Sequence, residues 1–390
     1  MDRHFWTLGL LSLALGIAIS APQQVRAAVA WPASTSGSAQ GANAGAPRSA
    51  AQPQKTPEAE KARIHLRKGN SLLEKNDLMG AIREFRLAVR YNPDDAQARM
   101  ALGNALRQKG QIKAALRELR EAVRLAPEDP DAHFDLAVAL GHQGNWAAAA
   151  DEYREAVRLN PESPTAQKHL SLACFNLGTT MSHQQNWDEA IQAYREAIQM
   201  NPNDVCAHNN LGLALEGKGL MQEAIAQERE AIRLRPHFSP ARLNLGLMLQ
   251  RSGDLDGAIA EVREAVGVDP NSWPNHAALA EMLVRKGDLD AALAESRQAA
   301  ELGRHLPQPH VGLGRTLEAR GELKAAIAEF RTALRIDPNF VPGLYYLGLT
   351  QEKTGDRAGA RRSLQRACTL DQWEEPAFLA KCKAMRRAKK

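Results

Sequence analysis

Four sets of residues in this 390-residue chain have types and spacings that invite chemistry. Gly212–Lys218 reads GLALEGK, the opening of a loop whose glycine amides cradle phosphate while the lysine reaches it. The next residue is Gly219, where Ser or Thr should hold a metal, and no strand precedes the stretch, so it reads as a helix and its terminal turn. His65, His133, His208, His276 and His310 recur at one repeat position and suggest a metal ladder. Zinc needs imidazole nitrogens about 2 Å from one ion, and neighbouring helices stand roughly 10 Å apart, so these histidines are expected to pack rather than ligate. The third set is the four cysteines, which contain no CxxC pair. Export would permit a Cys368–Cys382 bridge, with buried free thiols as the alternative. The fourth set is Asn176, Asn210 and Asn244, spaced by 34 residues. An asparagine offers an acceptor and two donors, so such a run suits the main chain of an extended peptide whatever its side chains.

There is no HExxH, no GxSxG, no Gly-rich loop after a strand, and no carboxylate pair beyond ordinary helix surfaces. The chain reads as a non-enzyme with no catalytic residue, metal ligand or cofactor. Lysine and arginine total 50 against 45 acids, giving a formal charge of +5 and a pI near 9.0. That excess fits a mixed solvated surface and points only weakly to an anionic partner; nucleic acid is not implicated. The chain is 44% hydrophobic but only 5% aromatic, so small aliphatic side chains must build the core. That suits close-packed helices.

Residues 1–30 read as an export signal. Arg3 opens a weakly positive start, Phe5–Ile19 is an apolar run, and Ala28–Ala30 supplies the small-x-small pattern before Trp31. A cut before Ala21 is the other candidate. The run is shorter than the ~20 residues of a membrane span, and an uncleaved anchor is the alternative that would make the membrane a partner. The expected location is periplasmic or secreted. Residues 31–57 are rich in Ala, Ser, Gly, Gln and Pro and read as a disordered linker. It ends at Thr56-Pro57-Glu58, a cap, a first-position proline and a first-turn acid.

From there one unit recurs. Prolines at 93, 127, 161, 202, 236 and 270 are 34 apart except for one insertion of seven, Pro164–Leu170. With these prolines and Pro338 at position 32, and Arg304 and Gln372 in that place in two units, nine units start at Ala62, Ala96, Pro130, Ser171, Val205, Ser239, Trp273, Pro307 and Val341. Position 8 is Gly or Ala in every unit, and positions 20 and 27 are Ala in every unit. Apolar residues at 7, 11, 20, 24, 27 and 28 predict two amphipathic helices of about 14 residues, joined by a turn with Gly near position 15. The small residues let the helix backbones approach, and the proline stops the second helix. The insertion equals about two turns and would lengthen a first helix without changing its phase. Residues 375–390 read as a capping helix with a basic tail.

This pattern resembles the tetratricopeptide repeat over Ala62–Glu374, with His often at position 4 where that family favours Trp. The resemblance implies an all-α fold, an α-solenoid in which antiparallel helix pairs coil as a right-handed superhelix over residues 58–374. It also implies that the first helices line a concave groove. Position 6 then places Asn176, Asn210 and Asn244 there beside Asp135, with Phe134, Phe175, Asn209 and Leu243 at position 5. The asparagine run is similar to the ladder in the repeats of the O-linked N-acetylglucosamine transferase family; only the repeats are similar. The Lys and Arg clamp of chaperone-binding members is absent. Two functions are carried forward. One is an exported interaction scaffold holding a peptide or partner domain; the other is an envelope protein tethered at its N-terminus that binds an anionic polymer or lipid surface.

Overall fold

A computed structural model of the protein describes residues 56–370, 373 and 375–387. The export signal over 1–30 and the linker, up to residue 55, lie outside the described residues. Secondary structure among the described residues is entirely helical, with 19 helices. None of them is long and apolar enough to cross a membrane. The chain divides into two compact units, one ending at Ala207 and the other running from His208 to Lys390.

The first unit contains α1 (Pro57–Glu74), α2 (Leu78–Tyr91), α3 (Ala96–Gln108), α4 (Ile112–Leu125), α5 (Pro130–Gln143), α6 (Trp146–Leu159), α7 (Pro164–His183) and α8 (Trp187–Met200). Thr56 caps α1, its hydroxyl accepting from the Ala59 amide at 3.3 Å, and Pro57 takes the first turn where no donor is needed. The seven inserted residues sit in α7, which extends to 20 residues beginning at Pro164. Each odd-numbered helix packs on the even one after it, and each even helix packs on the next odd one.

The second unit follows the same order. The helix α9 (Val205–Gly217) carries the division between the units near its start; it is followed by α10 (Met221–Leu234), α11 (Ser239–Arg251), α12 (Leu255–Val268), α13 (Trp273–Lys286), α14 (Leu289–Leu302), α15 (Pro307–Ala319), α16 (Leu323–Ile336), α17 (Val341–Lys353), α18 (Arg357–Leu370) and α19 (Pro376–Arg387). The GLALEGK stretch is therefore the last turns of a helix. First helices also touch one another, α11 with α13, α13 with α15 and α15 with α17, so one face is shared by them alone. The last helix closes the end of the stack, with Phe378 fully buried and a Cys368–Cys382 disulfide whose Cα atoms are 5.5 Å apart.

The core lies between the two helices of each pair. Position 8 glycine backbone rests directly on the position 24 side chain: a Cβ at Gly314 would stand 2.5 Å from a Phe330 ring carbon, and one at Gly69 2.4 Å from Phe85. Phe85 and Phe330 are 0% exposed, each worth roughly 1.5–3 kcal/mol of transfer free energy. Ala at positions 20 and 27 is likewise buried, from Ala81 and Ala88 to Ala360 and Ala367. Position 15 is left-handed throughout. Gly287 has φ 89°, and the two units that lack glycine hold Asn76 at 60° and Gln185 at 59°.

The structure adds to two expectations. The position 4 histidines do more than pack: several are buried, and they also hydrogen-bond. His133 Nδ1 lies 2.6 Å from Glu152 and its Nε2 3.0 Å from the Pro127 carbonyl. His276 repeats this with Glu295 at 2.6 Å and the Pro270 carbonyl at 3.0 Å. Arg99 and Arg242 do the same with Glu118 and Glu261, each at 2.8–2.9 Å. A base with two separated nitrogens ties the first helix to position 23 of its own second helix and to the chain leaving the previous repeat, which an indole with a single N–H cannot do. Position 24 is also not uniformly apolar. It holds Glu228 in the fifth unit and Ser296 in the seventh, both buried, at 0% and 2% exposure.

Candidate functional site

The residues expected to line a groove divide between the two units. In the first, α5 carries Phe134 and Asp135, and α7 carries Phe175 and Asn176. Phe134 stands edge-on to Tyr153 and His169, with ring centroids 5.4 and 5.1 Å away, and Phe175 edge-on to Tyr194 at 5.9 Å. These rings are half-buried, with one side in the helix pair beneath. Asp135 accepts a hydrogen bond from Asn104 Nδ2. Burial pushes its carboxyl up to about 6, opposed by that hydrogen bond and the nearby Arg107 guanidinium. Asn176 Nδ2 donates to the Leu172 carbonyl at 2.9 Å, one turn back in its own helix. Beside these, Cys174 is a buried thiol whose pKa burial pushes up to about 12, and Cys206 is half-buried and outside any disulfide.

In the second unit α9 brings Asn209 and Asn210, and α11 brings Leu243 and Asn244. Here the amides meet one another. Asn244 Nδ2 donates to Asn209 Oδ1 at 3.0 Å, and Asn209 Nδ2 donates to Asn210 Oδ1 at 3.1 Å. Asn209 and Asn244 are 7% and 6% exposed, whereas Asn210 and Leu243 are half-buried. Beneath them lies Glu228 from α10. Its Oε1 accepts from Asn244 Nδ2 at 3.4 Å and lies 2.8 Å from where a Gly212 Cβ would be. Its Oε2 is buried with no hydrogen-bond partner. Burial raises the Glu228 carboxyl well above the usual carboxylate range, with the Asn244 hydrogen bond opposing. An ion pair between Glu216 and Arg251 flanks the amides.

Further along the same unit, the first helices frame a cavity of about 70 Å³ lined by Trp273, Glu281, Ser296, Arg315, Tyr346 and Trp373, among others. Ser296, one of the lining residues, holds the repeat position that Phe330 holds in the following repeat. The Arg315 guanidinium lies over the Tyr346 ring at 5.0 Å.

The structure thus joins Asn209, Asn210 and Asn244 through their amides in one unit, with Leu243 beside Asn244 in sequence, whereas Phe134, Asp135, Phe175 and Asn176 each meet other partners in the other unit. Glu228 and Ser296 carry no motif. The only sequence signal for them is a polar residue in a column that otherwise reads Phe85, Leu119, Tyr153, Tyr194, Val262, Phe330 and Leu364. Chemically, the arrangement in the second unit can hydrogen-bond a polar main chain at a surface backed by apolar residues.

Three family models match. One described as tetratricopeptide repeat covers residues 66–130, 101–164 and 243–307; one described as TPR repeat covers 183–219 and 314–355; a second described as tetratricopeptide repeat covers 343–370. No curated protein matches the chain. Among solved structures, MamA is 27% identical, with 45% of this chain and 93% of that chain covered at a TM-score of 0.37. YrrB, a TPR protein with an unusual peptide-binding site, is 19% identical, with 49% and 95% covered at a TM-score of 0.38. Yeast Tom70 is 15% identical, with 85% and 96% covered at a TM-score of 0.39. From the repeat matches along the chain and the helix pairs that bear them, this all-α protein belongs to the tetratricopeptide repeat family.

Proposed function

We propose that the protein is a non-enzymatic scaffold, exported from the cytoplasm, that holds an extended peptide segment of a partner protein across the first-helix face of its second unit. The observation that carries this is the amide set Asn209, Asn210 and Asn244. Two of the three are almost buried, and they bond to one another above the buried Glu228 carboxyl. Amides so held meet peptide main chain without conformational search, which lowers the cost of binding. Family membership supports the scaffold role in general. The sequence of residues 1–30 supports export, and a partner in the periplasm or outside the cell follows from that.

The test is capture of partners from the protein's own envelope fraction with the wild type and with N210A/N244A, followed by mass spectrometry. Loss of the same captured protein from the double variant, with helicity unchanged, is expected. A capture profile indifferent to both substitutions would remove the groove assignment. Detection of the mature protein with Trp31 as its first residue, outside the cytoplasm, tests the export reading.

A further inference from the structure

We propose that Glu228 is the positioning residue of this face: its carboxyl sets which way round Asn244 sits, so that Asn244 Oδ1 and Asn210 Nδ2 become an acceptor and a donor for the main chain of an extended peptide. The inference rests on the peptide-binding reading above and adds which groups are presented and what holds them.

The frame gives no structural reason for an acid here. Position 24 beneath a position 8 glycine takes Phe85, Tyr194 and Phe330 in other units, and those rings fill the same space. Glu228 instead leaves Oε2 buried without a partner, which the chain bears as a desolvation cost. In return Oε1 accepts from Asn244 Nδ2, and Asn209 Oδ1 accepts from the same nitrogen. With Glu228 Oε1 and Asn209 Oδ1 as the acceptors seen here, turning the Asn244 amide over would set its oxygen against both and lose both hydrogen bonds. One orientation is therefore fixed, and it leaves Oδ1 as the group with no partner among the described residues. Asn209 passes the polarity on. Its Nδ2 donates to Asn210 Oδ1, and Asn210 Nδ2 is left as a donor.

Equivalent positions on adjacent first helices are about 10 Å apart, close to the span of three extended residues. The donor on Asn210 and the acceptor on Asn244 thus suit a C=O and an N–H of one extended strand, in one chain direction and without regard to its side chains. The occupant is a peptide segment whose recognised groups are main chain.

A phage-displayed library of random dodecapeptides, selected on the full chain, supplies the probe. Binding of a selected, fluorescently labelled peptide is then measured by anisotropy for wild type, N210A, N244A, E228Q and E228F, with chemical denaturation of each variant alongside. E228Q keeps an uncharged acceptor at Oε1 and should bind within about threefold of wild type. E228F should bind at least tenfold more weakly while its denaturation midpoint rises, a combination that a merely structural role for Glu228 does not produce. N-methylation of single peptide residues should abolish binding at the N–H that meets Asn244. E228F binding like wild type, or E228Q weakening as much as E228F, overturns the role of Glu228 while the groove stands. If no peptide is enriched, or if N210A and N244A both bind as wild type, the peptide reading falls and this inference with it.

Discussion

The fifth and eighth helix pairs lie in the same unit and share one frame, yet they hold different things at its centre. Gly212 and Gly314 occupy the same position, and each rests on the side chain at position 24. Under Gly314 that side chain is Phe330, fully buried, with Val311 and Tyr346 at the positions that match Asn209 and Asn244. Under Gly212 it is Glu228, equally buried, with amides at those two positions. The small residues at positions 8, 20 and 27 fix the backbones of both pairs. The large residue at position 24 is then free to be apolar, or polar where the next first helix supplies a donor. The frame sets the fold and the exceptions in its columns set the site.

The comparison is broken most severely by exchanging its terms. F330E would place a carboxyl where Val311 and Tyr346 offer no amide, and it removes a buried ring. A loss of about 4–5 kcal/mol is expected, read as a fall in the urea midpoint of the second unit. Asp135 offers a second buried carboxyl, in the other unit, with Arg107 and Asn104 beside it. Its folded pKa of about 6 lies above the unfolded value of about 3.9, so the folded state is favoured by the proton. That contribution is complete below about pH 4 and is lost as pH rises through 6. D135N should therefore gain up to roughly 2–3 kcal/mol over wild type at pH 7–8 and little at pH 4, measured as denaturation midpoints across that range. E228F should stabilise the fifth pair by about 2 kcal/mol, the worth of a buried ring in place of an acid. The smallest change touches only the frame: Q185G, at a residue held at φ 59°, should raise stability by roughly 0.5–1 kcal/mol.

Much of this frame is legible in the sequence. The proline spacing, the three small columns and the Thr56-Pro57 start locate the helices, and the insertion at Pro164 shows as a longer helix. What is hidden has particular causes. Asn76 and Gln185 adopt the left-handed turn because their neighbours require it, and nothing in either side chain announces it. The position 4 clamp is written in two columns 19 residues apart, as in His276 and Glu295, and is seen only when both are read together. The asparagines are visible by type. Whether each amide faces its own helix, as Asn176 does, or a neighbouring repeat, as Asn244 does, depends on side-chain rotation that spacing cannot give. Glu228 stands out only once its column is known to be a core column.

The central claim is that amides at Asn210 and Asn244 meet a peptide main chain. Side-chain NMR of the protein labelled with ¹⁵N-asparagine, titrated with a selected dodecapeptide, tests it most directly. The account predicts that the Asn210 and Asn244 side-chain signals shift on binding, while that of Asn275, buried at 2% exposure against Ser239, stays in place. A bound peptide that leaves Asn210 and Asn244 unmoved would contradict it.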